Sequence, residues 1–353
     1  MKKILGFFLL LISPLLIAQE SGSLTFDGNF RYAYIGNDTN GSGLENGIHT
    51  LRTRIGLRYI LSEQSSFRAR LASTFSDELE APKLTIRSDG GGRLAFGSIS
   101  FDELYYRFQN DDYDVKLGRF QHTIGVRSNA GRSLMRFQSN LIFVNWTDGA
   151  YFKRNLENGW YGEFIGEYQP KGYLSYPYQG PLNFGNNDHN FNAYFGIENR
   201  ERDENNIIQK GFGLFVAPNA YLKNGDYSTY TAITSRIAID LPQNDLLRGG
   251  SWRIAGEFGQ NLSTSIENGT MAIISVGVNR FAEKHEFMVE FVSTDEQWLL
   301  ANVFARNGEE IELRYRFFAT KDLNFDARYR IRSSNNETIP NFYNTFIRAT
   351  YSF

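Results

Sequence analysis

The 353-residue sequence contains no cysteine, which excludes disulfide frameworks, thiolate metal sites and a lipidated N-terminal cysteine. Its four histidines, His49, His122, His189 and His285, are scattered, and none stands at metal-ligand spacing from another. No cofactor is expected. An excess of one charge is missing too: 37 Lys and Arg against 39 Asp and Glu leave a formal charge of −2, which gives no support to a nucleic-acid partner. Past residue 18, no apolar run approaches the ~20 residues of a spanning helix. Proline is scarce at 8 residues, whereas 30 Phe, 20 Tyr and 33 Gly suit a strand-rich chain.

At the start, Lys2 and Lys3 precede an apolar run from Ile4 to Ala18 broken only by Gly6, Ser13 and Pro14, and polar residues resume at Gln19 and Glu20. A basic tip, a short apolar middle and a small final residue read as a secretory signal peptide over residues 1–18, cleaved after about Ala18. Residues 19–353 are expected to form one domain. Export without a spanning helix leaves a soluble exported protein or a barrel.

The stretch TLRTRIGLRYIL decides between them. Leu51, Thr53, Ile55, Leu57, Tyr59 and Leu61 take every second place, and Arg52, Arg54 and Arg58 fill the gaps. Period two is a strand signal. The same rhythm places Leu24, Phe26, Phe30, Tyr32 and Tyr34 opposite Asp27, Asn29 and Arg31, and it continues to the last residue. Sixteen segments are predicted, with a range of 14 to 18: about 23–35, 48–61, 65–75, 98–109, 112–120, 147–156, 160–169, 189–199, 208–217, 228–239, 250–260, 270–281, 284–293, 309–318, 322–331 and 342–353. The ninth and twelfth alternate poorly, and Leu141 to Val144 is a candidate extension of the sixth.

Short and long links alternate almost without exception along the chain, although those between segments 8 and 9 and between 10 and 11 are somewhat longer than the other short ones. The short ones include SEQ and LENG, where Asn158-Gly159 suits a tight hairpin. The long ones, 36–47, 76–97, 121–146, 170–188, 218–227, 261–269, 294–308 and 332–341, are rich in Gly, Asn, Asp and Ser. Turns at one rim and loops at the other are what an all-β, up-and-down antiparallel barrel requires. In hydrocarbon every backbone N–H and C=O must be paired, so only a closed ring of strands can turn its apolar face outward. Ile311, Leu313, Tyr315 and Phe317 then face lipid, as do Leu323, Phe325, Tyr329 and Ile331, and the alternate charged residues face a wet interior.

The last strand ends FIRATYSF, with Tyr351 and Phe353 on the face of Ile347 and Ala349, and this terminus resembles the assembly signal of Gram-negative outer-membrane barrels. Through pattern, strand count, loop alternation and terminus, the whole of residues 19–353 resembles the porin class. DVKLGRFQHTIG, Asp114 to Gly125, is similar to the strand-plus-loop entry of phosphate-selective O/P-type porins, although the loop carries no lysine cluster. The resemblance implies short periplasmic turns, long external loops, contact with outer-membrane lipid and the barrel assembly machinery, and a homotrimer. It also implies that the third long loop, 121–146, folds inward and narrows the channel, carrying Arg127, Arg132 and Arg136 to the constriction.

Closure makes the last three and first three strands one continuous wall, whose inward positions include Arg314, Arg316, Arg328, Arg330, Arg348, Arg31, Arg52, Arg54, Arg58, Arg68 and Arg70. Glu310, Glu312, Asp326 and Asp27 are the acids expected among them. The opposing wall leans acidic through Glu103, Glu163, Glu167, Glu198, Glu257 and Glu290, with Arg107, Arg236 and Arg253 as exceptions. A row of guanidiniums in a narrow aqueous passage concentrates anions. The expected function is a porin passing small hydrophilic solutes with a lean toward anions. The alternatives are a channel for an acidic oligosaccharide and a non-conducting adhesive or structural barrel.

Catalytic constellations are weak. Asp188-His189 and His122 with Ser128 lack visible triad partners, so no enzyme is expected. The glycine-rich RSDGGGRLAFG, Arg87 to Gly97, reads as a flexible hairpin, and NGDYSTY, Asn224 to Tyr230, as a solvated turn.

Overall fold

A computed structural model of the chain describes residues 23–39, 46–77, 83–84, 97–122, 124–128, 147–169, 190–221, 227–263, 267, 269–300, 307–336 and 340–353. The leader expected over 1–18, Leu141 to Val144, Asp188-His189 and residues 87–96 and 224–226 lie outside the described residues.

Sixteen strands form the wall: β1 (Leu24–Thr39), β2 (Asn46–Ile60), β3 (Ser65–Ser76), β4 (Ser98–Gln109), β5 (Tyr113–Phe120), β6 (Thr147–Asn155), β7 (Trp160–Gln169), β8 (Asn190–Asn199), β9 (Ile207–Tyr221), β10 (Tyr227–Asp240), β11 (Ser251–Asn261), β12 (Thr270–Phe281), β13 (His285–Thr294), β14 (Gly308–Phe318), β15 (Leu323–Ser334) and β16 (Phe342–Ser352). They correspond one for one to the sixteen predicted segments. Each pairs antiparallel with its sequence neighbours, and β1 pairs with β16 from Asn29↔Ser352 to Thr39↔Phe342, so the sheet has no open edge. A two-residue segment, Lys83–Leu84, adds a short parallel pairing to the start of β4.

Some strands outrun their alternation. β1 continues to Thr39 because its backbone still pairs with both neighbours after the side chains have turned polar, through Asn37↔Asn46 on β2 and Thr39↔Phe342 on β16. The tight links collect at one rim. In the β6–β7 link, Asn158 takes φ 56° and Gly159 φ 73°, and the Trp160 N–H donates to the Glu157 carbonyl to close the turn.

The outer face is apolar from strand to strand: Phe26 on β1, Leu51 on β2, Phe67 on β3, Leu104 on β4, Ile274 on β12, Val289 on β13 and Leu313 on β14 are all exposed. Strict alternation explains it, since each of these residues follows an inward neighbour on a pleated wall. This is an up-and-down transmembrane barrel, with its oily surface on the outside.

The chain ends form the seam. Backbone N–H groups of Gly28 and Phe353 each donate to the other's carbonyl, at 3.0 and 3.1 Å. The Phe353 ring stacks on Phe30 at 5.6 Å and occupies the space beside Gly28, where a Cβ would lie 2.5 Å from the ring and 2.5 Å from the Arg54 carbonyl oxygen. Replacing Phe353 by Ala is expected to lower the unfolding free energy by about 1 kcal/mol, the worth of an aromatic pair, measured by urea unfolding in detergent. Gly28→Val is expected to weaken the seam further, because the backbone of β2 cannot give way.

Candidate functional site

Inward from the wall, parity puts Arg52, Arg54 and Arg58 of β2 beside Arg68 and Arg70 of β3, with register partners Arg58↔Arg68 and Gly56↔Arg70. On the other side of the seam, Arg31 of β1 stands opposite Arg52, and Arg348 of β16 stands between Ala33 of β1 and Asp326 of β15. Arg314, Arg316, Arg328 and Arg330 complete the arc on β14 and β15. Sequence alternation thus places all eleven arginines on the inner face of one contiguous wall.

More acids reach this wall than the expected Asp27, Glu310, Glu312 and Asp326. Asp102 lies 2.8 Å from Arg54 and 2.9 Å from Arg70, and Glu103 lies 3.0 Å from Arg68 and 3.2 Å from Arg70. The cause is a β-bulge. The β3–β4 register shifts between Arg70↔Glu103 and Leu71↔Phe101, so two consecutive residues of β4 oppose one position of β3 and both turn inward. Glu103 therefore does not belong to an opposing acidic wall; it is part of the arginine arc. Glu286 of β13 joins as well, 3.2 Å from Arg316.

The result is an ionic lattice. Arg68 donates to both oxygens of Asp27 at 2.5 Å. Asp326 lies 3.2 Å from Arg316 and from Arg348, Glu312 holds Arg314 at 2.9 Å and also Arg330, and Glu310 lies 3.1 Å from Arg330 and 2.6 Å from Arg332. Arg31 donates to Thr350 at 3.1 Å and Arg52 to Asn29 at 3.0 Å, both neutral acceptors. The expectation that four local acids face eleven cations gives way to seven carboxylates distributed among them.

Elsewhere the expected acids have varied surroundings. Glu198 holds Arg200 and accepts from Tyr161 at 2.6 Å, and Arg236 bridges Glu198 and Glu257 at 3.4 and 3.5 Å. Glu167 stands opposite Gly149 on β6, and Glu290 is fully buried opposite Glu312 on β14, next to the arc.

Residues 121, 122 and 124–127 run inside the barrel. Gln121 donates to Asp102 at 3.3 Å, and the His122 ring sits 3.4 Å from Glu163 and 4.7 Å from the centre of Tyr151. Gln209 of β9 donates to the Gly125 carbonyl and accepts from the Arg127 N–H. The Arg127 guanidinium donates to the carbonyls of Arg200 and Ile208 at 2.9 Å, next to the link 200–206 between β8 and β9. The segment thus crosses from the loop rim toward the turn rim. Arg132 and Arg136 lie outside the described residues.

An apolar cluster also fills part of the interior. Phe215 and Ala217 of β9, Tyr230 and Ala232 of β10, Met271 and Ile273 of β12 and Val292 of β13 pack with Ile124, Trp298 and Leu300. The Trp298 ring lies over Gly259, where a Cβ would come within 2.4 Å of it, and the Tyr230 hydroxyl accepts from the Leu299 N–H at 3.1 Å. The link after β13 therefore turns inward at least as far as Leu300. Strand alternation alone assigned polar residues to the interior, and this cluster departs from it.

Among the described residues no group of His, Asp and Glu has the arrangement to hold a metal ion. No protein-family model matches the chain, and no curated protein does. Solved structures do match over nearly the whole length. OprB of Pseudomonas putida, in its high-pH structure, is 11% identical with a TM-score of 0.59 over 97% of this chain and 96% of its own. A loop L8 deletion mutant of OmpT, an outer membrane protein of Vibrio cholerae, is 10% identical with a TM-score of 0.57 over 95% and 100%. OmpF of Salmonella typhi, in complex with daunomycin, is 10% identical with a TM-score of 0.56 over 96% and 99%. At such identities the likeness concerns architecture: the chain has the sixteen-stranded fold of Gram-negative outer-membrane porins.

Proposed function

We propose that the protein is an outer-membrane channel through which small hydrophilic solutes diffuse passively, with a lean toward anions. The observation that carries this reading is the arc inside a closed, lipid-facing barrel: among the described residues eleven arginines share one inner wall with seven carboxylates that contact them and with Glu290 beside them, which leaves that wall net positive. A positive potential in a confined aqueous passage raises the local anion concentration. Guanidinium adds forked donors that match carboxylate and phosphate oxygens. Selection is then by size and charge, with no chemical step. The inward course of residues 121, 122 and 124–127 supports a narrowed passage with Arg127 near its turn-rim end. In the same reading residues 1–18 direct export, Tyr351 and Phe353 serve the assembly machinery, the longer links face outward from the cell, and the barrel forms a homotrimer.

The test is single-channel recording in a planar bilayer. Steady conductance with a reversal potential displaced toward anions in a KCl gradient is the expected result; a silent, correctly folded barrel overturns it. The silent outcome is the one a structural or adhesive barrel gives, and the buried apolar cluster favours that second reading, because it closes part of the interior. A channel for an acidic oligosaccharide gives anion current that the saccharide blocks.

A further inference from the structure

Most of the arc is neutralised by neighbours, and this raises the question of which guanidinium a passing ion meets. Arg328 stands sixth in the twelve-residue β15, at mid-height of the wall. Its register partners are Arg314 on one side and Phe346 on the other. Among the described residues no carboxylate lies within 4 Å of it. The nearest acids along the wall, Asp326 and Glu312, are already held by Arg314, Arg316, Arg330 and Arg348. Arg328 is seated instead on a ring: its guanidinium carbon lies 3.9 Å from the centre of Phe346, itself buried. A cation over an aromatic face keeps its charge and directs its donors sideways, away from the ring. The Arg328 side chain is partly exposed, although its Nε is shielded and has no hydrogen-bond partner.

We infer that Arg328, held on Phe346, is the residue that sets the charge preference of the passage, and that the arginines of the arc held by carboxylates or by Thr350 and Asn29 mainly build the wall. This rests on the channel reading above. An ion pair presents a dipole whose field falls off quickly, whereas a lone guanidinium at mid-height presents a full charge to the solute. Arg58 is also without an ion pair among the described residues, but it lies near the end of β2 at the turn rim, where the opening to bulk water screens it.

The experiment compares reversal potentials of full-length variants in a KCl gradient across a planar bilayer. Arg328→Gln is expected to lower the chloride-to-potassium permeability ratio about threefold, the effect of one charge several ångströms from the ion in a water-like medium. Arg328→Met, which keeps an apolar stem on Phe346, is expected to give the same shift, and Arg328→Lys to retain the native ratio. The double change Arg107→Gln with Asp114→Asn removes a pair bound at 2.7 Å and is expected to leave the ratio unchanged. A conducting barrel whose ratio is the same in Arg328→Gln and Arg328→Met as in the native protein overturns the assignment of Arg328 and leaves the channel reading standing. A native barrel that carries no current overturns both.

Discussion

Asp102→Asn is expected to cost about 3–5 kcal/mol of unfolding free energy, the usual cost of removing one partner from a buried ion pair. The Asp102 side chain is fully buried and holds Arg54 at 2.8 Å and Arg70 at 2.9 Å. Without its charge, two guanidiniums remain close together with one fewer carboxylate between them, and Glu103 is already committed to Arg68 and Arg70. The same carboxylate accepts from Gln121, so the change also loosens the start of the inward segment. Urea unfolding in detergent, followed by far-ultraviolet circular dichroism, gives the stability. A loss below 1 kcal/mol would mean that water entering the passage hydrates the two arginines as well as Asp102 does. Asp102→Glu keeps the charge but lengthens the stem, and an intermediate loss is expected.

Trp298→Ala is expected to cost about 3–5 kcal/mol in the same assay, the range for truncating a buried aromatic ring. Its ring covers Gly259 and joins the apolar cluster with Leu300 and Met271. Truncation removes the anchor of the link after β13, so single-channel conductance is expected to rise with the loss of stability. Tyr230→Phe tests the polar half of the same contact. It deletes the acceptor of the Leu299 N–H, and a cost of about 1 kcal/mol is expected. If Trp298→Ala leaves both stability and conductance unchanged, the cluster does not hold that link.

The wall was legible because alternation is a local property. Leu51, Ile55 and Leu57 against Arg52, Arg54 and Arg58 give side and parity without any knowledge of the neighbours. The departures arise where parity breaks or both faces are oily. Asp102 sits one place from Glu103, so strict alternation sends one of them outward; the bulge in β4, opposite Arg70 and Leu71 of β3, is what admits both. Nothing in the sequence of β4 alone signals that bulge. The poor alternation of the ninth and twelfth segments has a physical cause as well. On β12, Met271 and Ile273 join the inner cluster while Ile274 and Val276 face out, so the contrast between faces is lost. The same holds for Phe215 and Ala217 against Phe212 on β9, where two register shifts add to it. Glu286 was missed for a different reason: it belongs to β13, one strand beyond the wall counted as the arc, and reaches Arg316 across the ladder.

The seam between Gly28 and Phe353 bears on how the molecule is made. Arg31 reaches Thr350 across 319 residues of chain. Until residues 342–353 have been synthesised, β1 and β15 each present a row of backbone donors and acceptors with nothing to bind, which hydrocarbon punishes and which other nascent chains would satisfy by strand addition. Stepwise entry into lipid from the first hairpin onward therefore carries unpaired edges at every stage before closure. β1 and β16 have to meet before every backbone group of the sheet is paired for the bilayer.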